Sequence, residues 1–132
     1  MKQPVLLCYN LPQESYRKLR LAAMRLKIRV RAVKPWELNQ TLEALAGSSQ
    51  PLAQTDPCEG AFADEMLVMA YFPAGMGNAF LRLARQSGVP SIPLKAVLTP
   101  TNSQWDSITL HAEISKEREA IEQGLGQVHS PD

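Results

Sequence analysis

Val5-Leu6-Leu7-Cys8-Tyr9-Asn10-Leu11-Pro12 and Met66-Leu67-Val68-Met69-Ala70-Tyr71-Phe72-Pro73 are the two stretches on which the fold turns. Each is an unbroken apolar run closed by proline, the pattern of a strand buried on both faces. They align at a fixed offset of 61 residues. After each comes a helical spacing, then an alternating strand ending in Ala-Val (Ala32-Val33, Ala96-Val97), then a second helix. The chain therefore reads as a duplicated β-α-β-α unit. Its half-repeats cover about residues 4–47 and 66–122 of a single domain spanning residues 1–132. Between them, residues 48–64 hold two prolines and one glycine without any period. That segment is expected to be a mobile linker, either disordered or a functional flap.

The remaining elements follow from spacing. Over Gln13–Lys27, Tyr16, Leu19, Ala22, Ala23 and Leu26 share one arc, while Arg17, Lys18, Arg20, Arg25 and Lys27 spread over the rest. Leu21 and Met24 are exceptions that fall on the basic side. Ile28, Val30 and Ala32 alternate with Arg29 and Arg31, which predicts an edge strand with a wet face. Pro35 and Gly47 bracket a second helix over Trp36–Ala46. A third is expected over Asn78–Ser87, an edge strand over Ile92–Leu98, and a last helix over Ser103–Glu122 that stops at Gly124.

Two continuous and two alternating strands imply two central strands and two edges. An α/β fold with a four-stranded, mainly parallel sheet in order 2-1-3-4 meets that requirement, with helices on both faces. In this doubly wound form strands one and three run parallel. Helices one and four cover one face, and helices two and three the other. A ferredoxin-like sheet is the alternative, with strands one and three antiparallel. In its plain form one face is open, and its central strands should then alternate.

A parallel sheet gathers every strand carboxyl end on one edge, where ligands of such folds bind. That edge would collect Asn10, Lys34, Trp36, the Gly75-Met76-Gly77-Asn78 turn, Thr99, Thr101, Asn102 and Trp105. Backbone N–H groups at a helix start attract anions, and glycines allow close approach, so a small anionic ligand fits such a crevice. The turn lacks the third glycine of a dinucleotide fingerprint and the acid that would hold a ribose, so it reads first as a structural turn. Trp36 and Trp105 occupy corresponding places in the two halves, as caps on the core or as walls of the crevice.

Other reactive groups read blandly. Cys8 is a core residue and Cys58 an ordinary loop thiol. His111 lies in the last helix and His129 in the tail, with no metal-ligand spacing around either. No cofactor and no metal is expected. Asp106, Glu113 and Glu117 form a solvated acidic face. No serine elbow or phosphate-binding loop is present.

Composition bounds the classes. With 45% hydrophobic and 20% charged residues, the chain is of ordinary globular type. No apolar run approaches the ~20 residues of a membrane span. Residues 1–34 carry nine Lys/Arg against one acid, Glu14, in a chain of net charge +1. If helices one and four share a face, Arg17, Lys18, Arg20, Arg25 and Lys27 meet the acids of the last helix. The one aromatic of the basic helix, Tyr16, lies on its apolar arc, and an overall charge near zero gives a polyanion little long-range attraction, so no nucleic-acid binding is expected. Trp105, Ile108 and Ala112 form one apolar stripe on the last helix and Leu110, Ile114 and Ile121 a second, which either overhangs the domain as a homodimer contact or is buried inside the monomer. A non-catalytic binding or regulatory module is the favoured function. A small enzyme acting on an anionic metabolite at the strand-end crevice is the alternative.

Leu94-Lys95-Ala96-Val97-Leu98-Thr99-Pro100-Thr101-Asn102-Ser103-Gln104-Trp105, with the strand and helix before it, resembles a small bacterial domain family of unknown function. The resemblance covers about residues 66–121. It implies a bacterial, cytoplasmic protein and brings no catalytic residues with it.

Overall fold

The computed structural model describes residues 2–47 and 50–122. Along the chain run β1 (Val5–Tyr9), α1 (Gln13–Arg25), β2 (Arg29–Val33), a 3-10 turn (Pro35–Glu37), α2 (Leu42–Ala46), β3 (Met66–Ala70), α3 (Met76–Gln86), β4 (Leu94–Val97), a second 3-10 turn (Asn102–Gln104) and α4 (Ser107–Glu122). The strands form one sheet in the order β2-β1-β3-β4. Both outer pairs are parallel, so the α/β class, the order and the mainly parallel character match expectation. The central pair does not. β1 and β3 run antiparallel, with Val5 opposite Ala70, Leu7 opposite Val68 and Tyr9 opposite Met66.

The connection after α2 accounts for the reversal. Ala46 and Gly47 lie at the Arg29 end of the sheet, where Arg29 Nη2 donates to both carbonyls at 3.0 and 2.9 Å. From there the chain returns across the same face. Leu52 N and Cys58 N donate to the first 3-10 turn, at Glu37 Oε2 and Pro35 O. Asn10 Nδ2, just beyond β1, donates to Phe62 O and Asp64 O at 3.0 and 2.9 Å. β3 therefore starts beside the end of β1 and runs back. The length of the connection, which spacing alone flagged, decides the strand direction.

Side-chain alternation then assigns the layers. Val5, Leu7, Tyr9, Met66, Val68 and Ala70 point into a core shared with α2 and α4. Leu6, Cys8, Leu67 and Met69 point into the core under α1 and α3. The expected pairing of helix one with four and two with three is thus overturned. Antiparallel β1 and β3 relate the halves by an approximate two-fold axis normal to the sheet, and such an axis keeps matching helices on one face.

The backbone follows that relation closely. Asn10 (φ 61°) and Tyr71 (φ 62°) both take the left-handed conformation, as do Lys27 (φ 61°) and Gly88 (φ 93°). Each pair is separated by the same offset of 61 residues. Ile28 N donates to Ala23 O at 2.9 Å, and Val89 N to Ala84 O at 3.1 Å, again at that offset. Beyond it the halves slip: Arg29 begins β2 but Leu94 begins β4. Ala32 lies opposite Cys8 and Val97 opposite Met69, so the two Ala-Val pairs are one residue out of step.

Two helices are shorter than their spacing predicted. Trp36–Ala46 breaks into the 3-10 turn and α2 because residues 38–42 pair with the chain before α4. Ser107 N donates to Leu38 O at 3.1 Å, and Leu42 N to Trp105 O at 2.8 Å. The last helix starts at Ser107 rather than Ser103, with Asp106 Oδ1 accepting from Thr109 N at 2.8 Å as its cap. The expected stop at Gly124 and His129 lie outside the described residues.

Candidate functional site

Reversing β3 splits the expected crevice. Asn10, Lys34 and Trp36 belong to the sheet edge where β1 and β2 end. The Gly75–Asn78 turn, Thr99 and Asn102 lie at the opposite edge, beside the start of β1, where Lys2 Nζ donates to Tyr71 Oη at 3.5 Å. Trp105 is at neither edge. Its carbonyl accepts from Leu42 N, and its ring packs on the core between α2 and α4.

At the second edge the residues hold one another. Asn102 is buried, with Oδ1 accepting from Thr99 N at 2.9 Å and Nδ2 donating to Val97 O at 3.0 Å. Asn102 N donates in return to Thr99 Oγ1 at 3.1 Å. These bonds close the turn on itself. Gly75 takes φ 84°, which a side chain would strain. Gly77 lies over Met69, where an added Cβ would stand an ordinary 3.5 Å from Sδ. An added Cβ at Gly75 would meet nothing within 4 Å, and α3, like α1, starts without a side-chain cap.

At the first edge a groove of about 400 Å³ opens over the carboxyl ends of β1 and β2. Asn10 and Lys34 line it with Cys8, Leu11, Gln13 and Tyr16. Lys34 is exposed at the rim. The amino end of α1 faces the same space, with Pro12 before it and no side chain capping its first N–H groups. Burial pushes the Cys8 thiol up to about 12, so it stays protonated at neutral pH. Burial likewise raises Tyr16. Trp36 is outside the groove and turns to the 50–64 segment, donating from Nε1 to Leu52 O at 3.2 Å. Leu11, Gln13 and Tyr16 were not read as site residues. The helical wheel gave Tyr16 to the core, which its half-buried ring partly serves.

Under α2 lies a charged cluster that alternation concealed. Arg29 is exposed at the start of the edge strand, as expected, but Arg31 is not. It turns beneath α2, where its Nη1 donates to Leu45 O at 3.1 Å. Arg31 Nη2 lies 3.1 Å from Glu37 Oε2, with side-chain exposures of 10% and 1%. Glu37 also accepts from Lys34 N at Oε1 (3.1 Å) and from Leu52 N at Oε2 (3.0 Å). Burial disfavours its charge, but those two N–H donors and the guanidinium outweigh it and hold the carboxyl below its ordinary value.

Above the same face, Phe62 stacks on His111 with centroids 3.9 Å apart and planes 4° from parallel, and lies 5.8 Å from Tyr9. His111 Nε2 is 2.9 Å from Asp64 Oδ2. Tyr9 Oη and Ser107 Oγ share a buried hydrogen bond of 2.7 Å. Burial raises the Tyr9 hydroxyl above its ordinary range. Leu110 and Ile114 pack into this core, which leaves Ile121 as the exposed member of the expected dimer stripe. Among the described residues, no group of three or more His, Cys, Asp or Glu is placed to hold a metal ion. No helix among them is long and apolar enough to cross a membrane.

Residues 65–121 match the model of a domain of unknown function (DUF3783), the half that begins with β3. No curated protein and no solved structure matches the chain.

Proposed function

We propose that this protein is a non-catalytic binding module whose small-ligand site is the groove at the carboxyl ends of β1 and β2. One observation carries the reading: of the expected site residues, Asn10 and Lys34 line one groove together, beside the uncapped amino end of α1. Free N–H groups and the positive end of the helix dipole favour an anion, and Lys34 supplies a mobile positive charge at the rim. Leu11 and the ring of Tyr16 offer apolar surface to the rest of a ligand. Binding is favoured over turnover because, among the described residues lining the groove, no nucleophile is hydrogen-bonded to a base. The repeated left-handed residues and turn bonds also support an origin by internal duplication.

A chemical-shift titration with inorganic phosphate tests the site. Shifts are expected to centre on the amides of Gln13, Glu14 and Lys34, with Lys34→Glu weakening binding about tenfold, as loss of one charged hydrogen bond would. Shifts centred on residues 75–78, or a Lys34→Glu protein that binds phosphate as the parent does, would refute it.

A further inference from the structure

The outward face of α1 is a surface separate from the groove. Leu19, Ala22 and Ala23 are buried against the sheet. At helical spacing this turns Arg17, Leu21 and Met24 straight outward, with Arg20 and Arg25 on either flank. Leu21 is 53% exposed and Met24 64%. An apolar pair thus stands in the middle of a ring of guanidinium groups. The ring has little to neutralise it. Glu14, the one carboxylate of α1, is 3.5 Å from Lys18, and α3 brings Arg82 and Arg85 with no acid at all. The acids of α4 lie across the sheet on the opposite layer.

We propose that this ridge docks an acidic, amphipathic segment of another protein. Apolar anchors of that segment seat on Leu21 and Met24, and its carboxylates meet the arginines. An apolar centre with a polar rim, enriched in Met and Arg, is the ordinary anatomy of a protein interface. Methionine adapts its shape to what it meets, and guanidinium groups pair with carboxylates in bidentate fashion. A nucleic-acid backbone would use the arginines and leave both apolar side chains wet. No exposed aromatic on α1 or α3 is available to stack a base. A second copy fits poorly too. With basic and acidic layers on opposite faces, copy would dock on copy head to tail without closing.

Fluorescence polarisation at ~0.15 M salt, where screening is strong beyond ~8 Å, reads the proposal. The probe is a labelled helical peptide of about sixteen residues, with leucines at i, i+4 and i+7 and glutamates on both flanks. Saturable micromolar binding is expected. Leu21→Gln with Met24→Gln should weaken it at least tenfold, and so should Arg17→Glu with Arg20→Glu. All four side chains are outward, and glutamine and glutamate are good helix formers, so circular dichroism should be unchanged. Replacing the peptide's leucines by serine should cost at least as much. Failure to bind at millimolar peptide overturns the proposal, as does equal binding of the serine peptide. Tighter binding of a duplex DNA or of anionic phospholipid vesicles, or concentration-dependent growth of the free protein, also overturns it. The assay contains no phosphate, the probe used for the groove, so its failure is distinct from failure of the groove.

Discussion

Glu37 is the buried carboxylate among the described residues, and its surroundings explain how so expensive a group is tolerated. Both oxygens accept N–H bonds, and Arg31 supplies the counter-charge. Such a pair adds little net stability over an apolar pair, but removing one partner strands the other charge. Glu37→Ala should therefore cost about 3–5 kcal/mol in urea unfolding. It should also loosen the backbone at Leu52 and Lys34. The carboxyl titrates below its unfolded value, so its stabilisation is fully present above about pH 4.3 and is lost as pH falls through the folded value. Glu37→Gln should accordingly show a shallower fall in stability with acid than the parent; equal slopes would mean that Glu37 does not carry that dependence. Little of this was legible in the sequence. Arg29-Val30-Arg31-Ala32 has the alternation of a wet edge, and nothing local says that a helix will cover Arg31 while leaving Arg29 exposed. Arg31 and Glu37 are six apart, a separation that neither a helix nor a strand brings together. Only the turn at Pro35 does.

The 50–64 segment is the element whose composition said least and whose contacts do most. Its prolines and glycine mark it as irregular, and irregular it is. Yet Asn10 holds two of its carbonyls, Glu37 one of its N–H groups, and Phe62 roofs the core between Tyr9 and His111. Those anchors lie 47 to 54 residues away in the chain, apart from Glu37, so no window of sequence reveals them. Phe62→Ala removes a stacked aromatic from a half-buried position. It should cost about 1–2 kcal/mol, from the ring contacts and the apolar area together. The more telling readout is limited proteolysis. Cleavage within residues 50–64 should accelerate in Phe62→Ala well before global unfolding, as local opening becomes cheaper. Unchanged cleavage would mean that the hydrogen bonds alone hold the segment. α2 makes the complementary point. Five residues are too few for a stable helix, and this one persists because Thr41 caps its start and Arg29 and Arg31 bind its last carbonyls. Its spacing promised a longer helix because Leu38, Leu42 and Leu45 all point inward in either conformation.

Across the whole molecule, sequence reading recovered which strands are central and their order, but not the direction of the second half. Continuous apolar strands demand cover on both faces and are indifferent to whether their neighbour runs up or down. The direction decides everything downstream: which helices share a layer, whether one crevice exists or two edges, and whether basic α1 meets acidic α4. Val5 and Ala70 allow a direct test. The antiparallel register sets them opposite each other, both facing α2 and α4. Parallel strands at the repeat offset would instead set Val5 against Met66. Val5→Ala opens a cavity at a fully buried site and should cost about 2–3 kcal/mol. Ala70→Val overfills its place and should cost about 1–3 kcal/mol. In the double variant the added methyls lie where methyls were removed, and the volume of the pair is conserved. The two costs should therefore fall short of additivity by at least about 1 kcal/mol in a double-mutant cycle, the size expected for residues in contact. Val5→Ala with Met66→Leu serves as the control and should be closer to additive. If the Val5 and Ala70 costs simply sum, the two side chains do not face each other, and the antiparallel centre of the sheet fails with them.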